Sequence, residues 1–156
     1  MQGEGRIKAI FISKSRNGIL EFPEAVTVVA GKGIENDRYF EDANRKSRDC
    51  EITFIESETI EAYNACHAVK IDPWQPRRNI LTQGIALNDL VGKRFSINGC
   101  VFEGVEICEP CELLRERTRK DAIKWFQGKG GLRASVLTGG RVELGNKLIM
   151  EKDHGR

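Results

Sequence analysis

The chain has 156 residues, of which 40% are hydrophobic and 31% charged, and its 25 basic and 23 acidic side chains leave a net charge of +2. This length fits one domain with a substantial hydrophobic core. The small, evenly mixed charge argues against a nucleic-acid-binding surface, and no stretch reaches the roughly 18 apolar residues that a membrane span requires. We therefore expect a single domain over residues 1–151 with a flexible tail at 152–156, and neither nucleic acid nor a membrane as a partner.

The predicted elements are mostly short strands. In chain order, the predicted strands are residues 7–12, 25–30, 51–55, 78–82, 94–97, 100–107, 133–137, 142–144 and 146–150. Helices are predicted at 58–66, with Ser57 as its cap, at 112–120, and again at 122–126, whereas residues 31–50 resemble a loop. Asn98-Gly99 is typical of a type I′ hairpin turn. Because no strand–helix–strand alternation recurs, we expect a mainly β protein with α-helical decoration, built as a largely antiparallel β-barrel or closed sandwich.

The cysteines give the first indication of compartment and chemistry. There are five, at irregular spacing: Cys50, Cys66, Cys100, Cys108 and Cys111. An odd number without regular spacing does not describe a disulfide framework, and residues 1–6 contain none of the apolar run of a secretory signal. We expect reduced thiols in a cytoplasmic protein.

The most promising chemical motif is Cys108-Glu109-Pro110-Cys111. It follows an alternating strand pattern and precedes a helical one, so Cys111 lies near a predicted helix N-terminus, where peptide dipoles favour the thiolate. The residues alone leave four interpretations open. They are a redox pair, half of a zinc site, one reactive or metal-ligating thiolate, and two thiols that are simply buried.

Several arginines lie beside glycines or at predicted strand ends. Arg77-Arg78-Asn79 precedes a strand directly after a proline-rich turn, Arg38 lies in a glycine-rich loop, and Arg133 follows Gly130-Gly131. Guanidinium groups next to such backbone suit a phosphate or another oxyanion. We interpret them as candidates for one anionic-ligand site.

Four ordered segments resemble the MOSC domain, named for the C-terminal part of molybdenum-cofactor sulfurase. They are RRNILTQGIALNDLVGKRF at 77–95, CEPCELL at 108–114, GLRASVLTGGRVELGN at 131–146 and the upstream loop GKGIENDRY at 31–39. Together they cover most of the chain in order. Two positions depart from the family pattern: Asn36 replaces a glycine, which a left-handed turn at asparagine would accommodate, and Asn146 replaces an aspartate.

The resemblance implies a β-barrel-like fold and binding of the molybdenum cofactor (molybdopterin) or a related anionic ligand. It implies that Cys111 carries sulfur as a persulfide or ligates molybdenum, with Cys108 as a second catalytic candidate. The implied cofactor-binding residues are Arg77, Arg78, Asn79 and Arg133, with Arg38 and Asp37 contributed by the upstream loop.

The resemblance also implies partners. Neither a pyridoxal-phosphate desulfurase domain nor an additional N-terminal barrel is recognisable in the sequence, so sulfur is expected from a separate cysteine desulfurase or another donor, with a molybdoenzyme as a further partner. Two alternatives stay open: a small molybdenum-dependent reductase of N-hydroxylated compounds that uses a separate electron donor, and a non-catalytic adaptor whose thiols are structural. Nothing in the sequence fixes the oligomeric state.

Overall fold

The structure is a computed structural model that describes residues 4–15, 18–40, 51–108 and 124–151. The strands, in chain order, are β1 (Glu4–Ile10), β2 (Ala25–Val29), β3 (Gly33–Ile34), β4 (Ile52–Glu56), β5 (Ile80–Gln83), β6 (Arg94–Ile97), β7 (Cys100–Ile107), β8 (Leu132–Thr138), β9 (Gly140–Glu143) and β10 (Lys147–Met150). One α-helix, α1 (Ser57–Cys66), follows β4 directly, and a 3₁₀ helix spans Leu87–Leu90. Residues 124–126 are also helical.

Within the described residues, seven strands close a barrel in the order β1-β10-β6-β7-β8-β4-β5, and β3, β2 and β9 form a separate sheet. Every neighbouring pair in the barrel is antiparallel except β4 and β5. Those two strands are joined through α1, so this part of the chain contains one strand–helix–strand unit that the sequence pattern did not reveal. The prediction of a mainly β, largely antiparallel barrel is confirmed.

Alternating side chains fill the barrel. On β8 every second residue from Leu132 to Val136 is buried, as is usual for a strand with one face inside a barrel. Phe54, Phe95 and Phe102 meet in the interior, with ring centroids 5.4–5.9 Å apart. Their contacts make the interior a continuous apolar core.

A second apolar cluster lies between the barrel and its helices. Ile60 and Tyr63 of α1 pack with Leu81 of β5 and with Phe126. The buried face of α1 is small, because only Ser57, Ile60 and Tyr63 are buried in this helix. The helix therefore covers one side of the barrel and leaves most of its surface to solvent.

The predicted hairpin between β6 and β7 is confirmed. Asn98 and Gly99 both have positive φ values, 50° and 82°, as a type I′ turn requires. The Asn98 side chain donates a hydrogen bond to the Arg141 carbonyl at 2.9 Å. The turn therefore also joins the barrel to β9.

Several predicted boundaries were wrong by a few residues. β1 begins at Glu4, three residues before its apolar run, because it pairs with β10 from that point. Ser57 is the first residue of α1, and no side-chain cap bond precedes it. β3 lies inside the predicted loop, since two residues are too few to show a periodicity. The predicted helix at 112–120 and the tail at 152–156 lie outside the described residues. In the part of the chain that the structure describes, no helix is long and apolar enough to cross a membrane.

Candidate functional site

Several segments that are distant in sequence meet around Asn79, the residue that precedes β5. Ile80, at the start of β5, pairs with Ile10 at the end of β1 and with Phe54 of β4, which also pairs with Leu132 at the start of β8. Because β8 runs antiparallel to β4, its start and the end of β7 lie towards the end of β4, and the Arg78 side chain reaches them through a hydrogen bond to the Gly130 carbonyl. We call the region that these contacts join the Asn79 end.

Asn79 joins three of these strands. Its buried side-chain oxygen accepts hydrogen bonds from the backbone N–H of Thr53 at 3.0 Å and from the Thr53 hydroxyl at 3.2 Å. Its amide nitrogen donates to the Phe11 carbonyl at 3.2 Å. Satisfied buried polar groups fix a unique geometry because breaking any of them leaves an unpaired partner. Asn79 therefore sets the position of the two arginines before it, and its contact with a ligand stays a prediction.

Arg77 is buried in a left-handed backbone conformation with φ of 61°. Its Nη2 donates to the carbonyl of Gly18 at 3.1 Å and lies 3.5 Å from that of Ser15. Its own carbonyl accepts a hydrogen bond from Arg38 at 3.0 Å. A non-glycine residue pays about 1–2 kcal/mol for this conformation, so the surrounding contacts must hold it there. Arg77 thus ties the loop after β1 to the barrel.

Asp37 and Arg38 lie at the same end. Asp37 is 5% exposed, and its Oδ1 accepts a hydrogen bond from the backbone N–H of Ser13 at 3.1 Å. Arg38 Nη1 lies 3.4 Å from the same oxygen. The preceding residue, Asn36, has φ of 71°, which confirms that asparagine takes the left-handed turn expected of a glycine there.

A pocket of about 490 Å³ opens beside this loop. The residues that line it are Lys14, Glu35, Asn36, Asp37, Arg38 and Phe40. The resemblance named Asp37 and Arg38, whereas Lys14, Glu35 and Phe40 were missed as pocket residues. Lys14 lies in the polar turn after β1, and no sequence pattern links that turn to the loop around Asp37. The hydrogen bond between Ser13 and Asp37 brings them together.

Arg78 and Cys108 both bond to the glycine-rich segment before β8. Arg78 Nε donates to the Gly130 carbonyl at 2.9 Å, and the backbone N–H of Cys108 donates to the Gly131 carbonyl at 2.7 Å. Gly131 has φ of 112°, and a Cβ there would collide with the Phe54 carbonyl. Only glycine fits this approach, which brings Arg78 and Cys108 to the same short segment.

Arg133 lies on the outward face of β8. It forms an ion pair with Glu106 of β7 at 3.1 Å, and both side chains are partly exposed. Such exposed pairs contribute about 0–1 kcal/mol. Arg133 is opposite Thr53 in the ladder, so it lies one strand away from Asn79. Its predicted contact with a ligand is not tested by these contacts and stays a prediction.

The described cysteines have different environments. Cys108 and Cys100 are buried, and burial raises the pKa of the Cys100 thiol, which favours its neutral form. Cys66 is exposed at the end of α1. Cys111, the principal candidate, lies outside the described residues, as does Cys50. In the described part of the chain, no group of three or more His, Cys, Asp or Glu side chains is arranged to hold a metal ion.

Another set of carboxyl groups lies where β4 ends, beside the 3₁₀ helix. Glu56, the last residue of β4, accepts a hydrogen bond from the backbone N–H of Leu87 at 2.9 Å. Burial raises the pKa of the Glu56 carboxyl, the Leu87 hydrogen bond opposes that rise, and the charges of Glu58 and Asp89 add to it. No pattern in the sequence marks Glu56 as a site residue.

Comparison with known proteins identifies the family of the chain and structures with a similar fold. The MOSC domain family model matches residues 41–149. The structure superposes on crystal structures of YuaD from Bacillus subtilis (TM-score 0.81, 15% identity, 98% of this chain and 99% of that one) and YiiM from Geobacillus stearothermophilus (0.73, 17%, 95% and 75%). YiiM from Escherichia coli is also similar, with a TM-score of 0.70 at 16% identity over 97% of this chain and 72% of that one. At these identities the likeness concerns the fold alone. No curated protein sequence matches the chain significantly.

Proposed function

The chain belongs to the MOSC domain family, which is associated with molybdenum-cofactor binding, and from that premise we propose that it binds this cofactor, or a related anionic ligand, at the Asn79 end. In this proposal Cys111 is a sulfur acceptor or a molybdenum ligand. Arg38, Arg77 and Arg78 provide the positive charge that an anionic ligand needs.

The observation that carries the proposal is the meeting of these arginines with the end of β7. Arg38 bonds to the Arg77 carbonyl, and Arg78 bonds to Gly130, next to the glycine that holds Cys108. The segment that contains Cys111 begins one residue after Cys108. A cysteine that acts on a bound anion has to lie close to the positive charges that hold the anion.

The residues at this end are chemically suited to the cofactor. Guanidinium groups bind phosphate through directional, charge-assisted hydrogen bonds. The pocket of about 490 Å³ beside Asp37 is within the size range of small-molecule sites. The cofactor, when bound, supplies a molybdenum centre that accepts sulfur or electrons, while the chain's own residues hold the anion and present the thiol.

The sulfur-carrier form of the proposal requires a sulfur donor. The Cys111 thiolate attacks the terminal sulfur of a persulfide on the donor protein. The new S–S bond forms on Cys111 as the donor's S–S bond breaks, and the donor leaves as a thiolate. No external oxidant is needed, because the sulfane sulfur moves with its oxidation state unchanged. A cysteine desulfurase, which works with pyridoxal phosphate, is a donor of this kind, and a cytoplasmic molybdoenzyme is a suitable recipient.

Expression of the protein with a supply of molybdenum cofactor, followed by metal analysis, tests the proposal. We expect the wild type to retain molybdenum and Cys111→Ser to lose most of it. Cys66→Ser is the matched control, because Cys66 is exposed on α1, and it should retain as much metal as the wild type. Equal retention in both variants would contradict the assigned role of Cys111.

Retained molybdenum separates the remaining alternatives as well. Turnover of an N-hydroxylated compound with an electron donor would identify a reductase. A wild type that holds no molybdenum, and whose Cys111 is not persulfidated by a desulfurase, would contradict the proposal and favour an adaptor domain. The burial of Cys108 fits a packing role for that thiol in every case.

A further inference from the structure

Two aromatic side chains, Phe22 and Trp74, lie together on the surface. Phe22 is 55% exposed and Trp74 is 38% exposed, and their ring centroids are 5.5 Å apart in an edge-to-face arrangement. Phe22 also contacts the buried ring of Phe11, which belongs to the second apolar cluster, at 5.4 Å. The pair therefore continues the apolar packing of the molecule to its surface. Tryptophan is among the residues that most often anchor a protein–protein contact, because covering its large ring removes much apolar area from water.

The backbone restrains both aromatic residues before any partner binds. Pro23 follows Phe22 and Pro73 precedes Trp74, and each proline ring fixes its own φ. The backbone N–H of Arg77 donates a hydrogen bond to the Trp74 carbonyl at 3.0 Å, so Trp74 lies in a closed turn that leads into the Asn79 end. Groups that are already held in place lose little conformational entropy when a partner covers them. The exposed pair is therefore well suited to be the centre of an interface.

The charges beside the pair have one sign. Every charged residue within two positions of Phe22 or Trp74 in the chain is acidic, and each is exposed: Glu21, Glu24 and Asp72. The basic residues on either side of Trp74 are bonded to the protein itself. Lys70 donates to two carbonyls at the end of α1, and Arg77 donates to the Gly18 carbonyl. The aromatic pair thus has an acidic rim.

The acidic rim decides between three kinds of partner. A two-fold dimer built on this patch would bring the carboxylates of both copies together, and like charges oppose association. An anionic lipid surface is disfavoured for the same reason. A protein segment that combines apolar side chains with lysine or arginine matches both the rings and the rim. We infer that Phe22 and Trp74 form a docking surface for a basic amphipathic segment of another protein, whose cations pair with the rim carboxylates.

Two labelled amphipathic peptides of about 15 residues, long enough to form a helix, test this inference. One consists of leucine and lysine, and in the other every lysine is replaced by glutamate. We expect fluorescence anisotropy to show that the wild type binds the lysine peptide at least about tenfold more tightly than the glutamate peptide. Added salt should weaken the binding of the lysine peptide, because it screens exposed charges. Equal binding of the two peptides, or binding of neither, would overturn the inference.

Two single variants test the aromatic pair. Phe22→Ala and Trp74→Ala should each weaken binding of the lysine peptide by about tenfold or more, as expected for the truncation of an interface anchor. Ile149→Ala is the matched control, because Ile149 is 44% exposed on β10, and it should bind like the wild type. Thermal unfolding verifies that each variant is folded. Unchanged binding by both aromatic variants would contradict the inference, as would an equal loss in the control.

A combined charge variant tests the rim and leaves the rings in place. Neutralising its three carboxylates by Glu21→Gln, Glu24→Gln and Asp72→Asn should abolish the preference for the lysine peptide. The control neutralises three exposed carboxylates elsewhere on the surface, by Glu4→Gln, Asp89→Asn and Glu151→Gln, and it should keep the preference. A preference that survives in the rim variant, or that disappears equally in the control, would contradict the assigned role of the rim.

Two further measurements separate the other occupants of this surface. Sedimentation that shows a dimer of the wild type but a monomer of Phe22→Ala would identify a second copy of the chain as the occupant and overturn the inference. Binding of the wild type to phosphatidylglycerol vesicles that is lost in Trp74→Ala would identify a lipid surface and overturn it as well. The inference goes beyond the proposed function and is independent of it, because the peptides require neither molybdenum nor Cys111.

Discussion

The interior of the barrel and its Asn79 end are built from the same strands but held by different kinds of contact. In the interior, the rings of Phe54, Phe95 and Phe102 are completely buried and are held by nondirectional apolar packing. At the Asn79 end, buried polar atoms are joined by directional hydrogen bonds across 24 residues between Ser13 and Asp37. The stability of the interior depends on packed volume and buried apolar area. The geometry of the Asn79 end depends instead on specific hydrogen-bond partners from separate segments.

This difference divides stability from recognition. A change in the interior should alter the free energy of unfolding and leave ligand binding by the folded molecules unchanged. A substitution of an arginine should alter ligand binding and leave the free energy of unfolding nearly unchanged. Asn79, which is both buried and next to the arginines, is the exception that should affect both.

The largest effect is expected in thiol reactivity, and it decides whether the Cys108 thiol serves packing, as in the interior, or is accessible for chemistry. A buried thiol reacts only when the structure opens, so Cys108 and Cys100 should be alkylated at least about a thousandfold more slowly than the exposed Cys66. Mass spectrometry of the native protein treated with iodoacetamide over time measures each site. A Cys108 that reacts at the rate of Cys66 would show that its thiol is accessible and contradict a packing role.

Phe54→Ala tests the interior. Truncating a fully buried phenylalanine should lower the free energy of unfolding by about 3–5 kcal/mol, as measured by guanidinium denaturation. Phe22→Ala is the control, because Phe22 is 55% exposed, and it should cost much less. Molybdenum retained per folded molecule should not change in Phe54→Ala. Similar costs for the two variants would show that the aromatic cluster is not the core of the barrel.

Asn79→Ala tests the polar end. Removing the amide leaves the backbone N–H of Thr53 and the carbonyl of Phe11 without their buried partner, so unfolding should become easier by about 2–3 kcal/mol. Asn88→Ala removes an exposed hydrogen bond to Gly128 and should change stability by less than about 0.5 kcal/mol. If both variants denature alike, Asn79 does not organise this end.

The two regions also differ in how far the sequence could predict them. The Asn98-Gly99 turn and the alternating burial of β7 follow from local patterns, and both were confirmed. The left-handed Asn36 was likewise expected. Arg77 also has a positive φ, 61°, yet no local pattern predicts it, because its conformation is held by contacts with Ser15, Gly18 and Arg38.

The parallel pairing of β4 with β5 was missed for a related reason. The two strands are separated by α1 and a further thirteen residues, and their pairing is continued by the Asn79 side chain and Thr53. Local periodicity carries no information about which strands become neighbours. The resemblance to a family supplied the candidate residues, and the structure adds how the described ones are held.

A smaller effect is expected at Glu56, the last residue of β4. Its pKa is raised in the folded protein, so the folded state loses stability relative to the unfolded state as pH rises from about 4.5 through the folded pKa. Glu56→Gln removes this ionisation and keeps an oxygen for the Leu87 N–H. The variant should therefore be slightly more stable than the wild type at pH 7, with the gain vanishing in acid. Thermal unfolding across pH measures this, and a gain that grows in acid would contradict the sign.

The central claim is that the Asn79 end, and not the barrel in general, holds the anionic ligand. Arg78→Met and Arg6→Met each remove one positive charge, but Arg6 bonds to the Gly145 carbonyl and takes no part in the contacts that define the Asn79 end. The decisive measurement is molybdenum per folded protein after expression with the cofactor. We predict that Arg78→Met loses about tenfold or more, as expected for a charged hydrogen bond, and that Arg6→Met matches the wild type. Equal retention in the two variants, or a greater loss in Arg6→Met, would contradict the account.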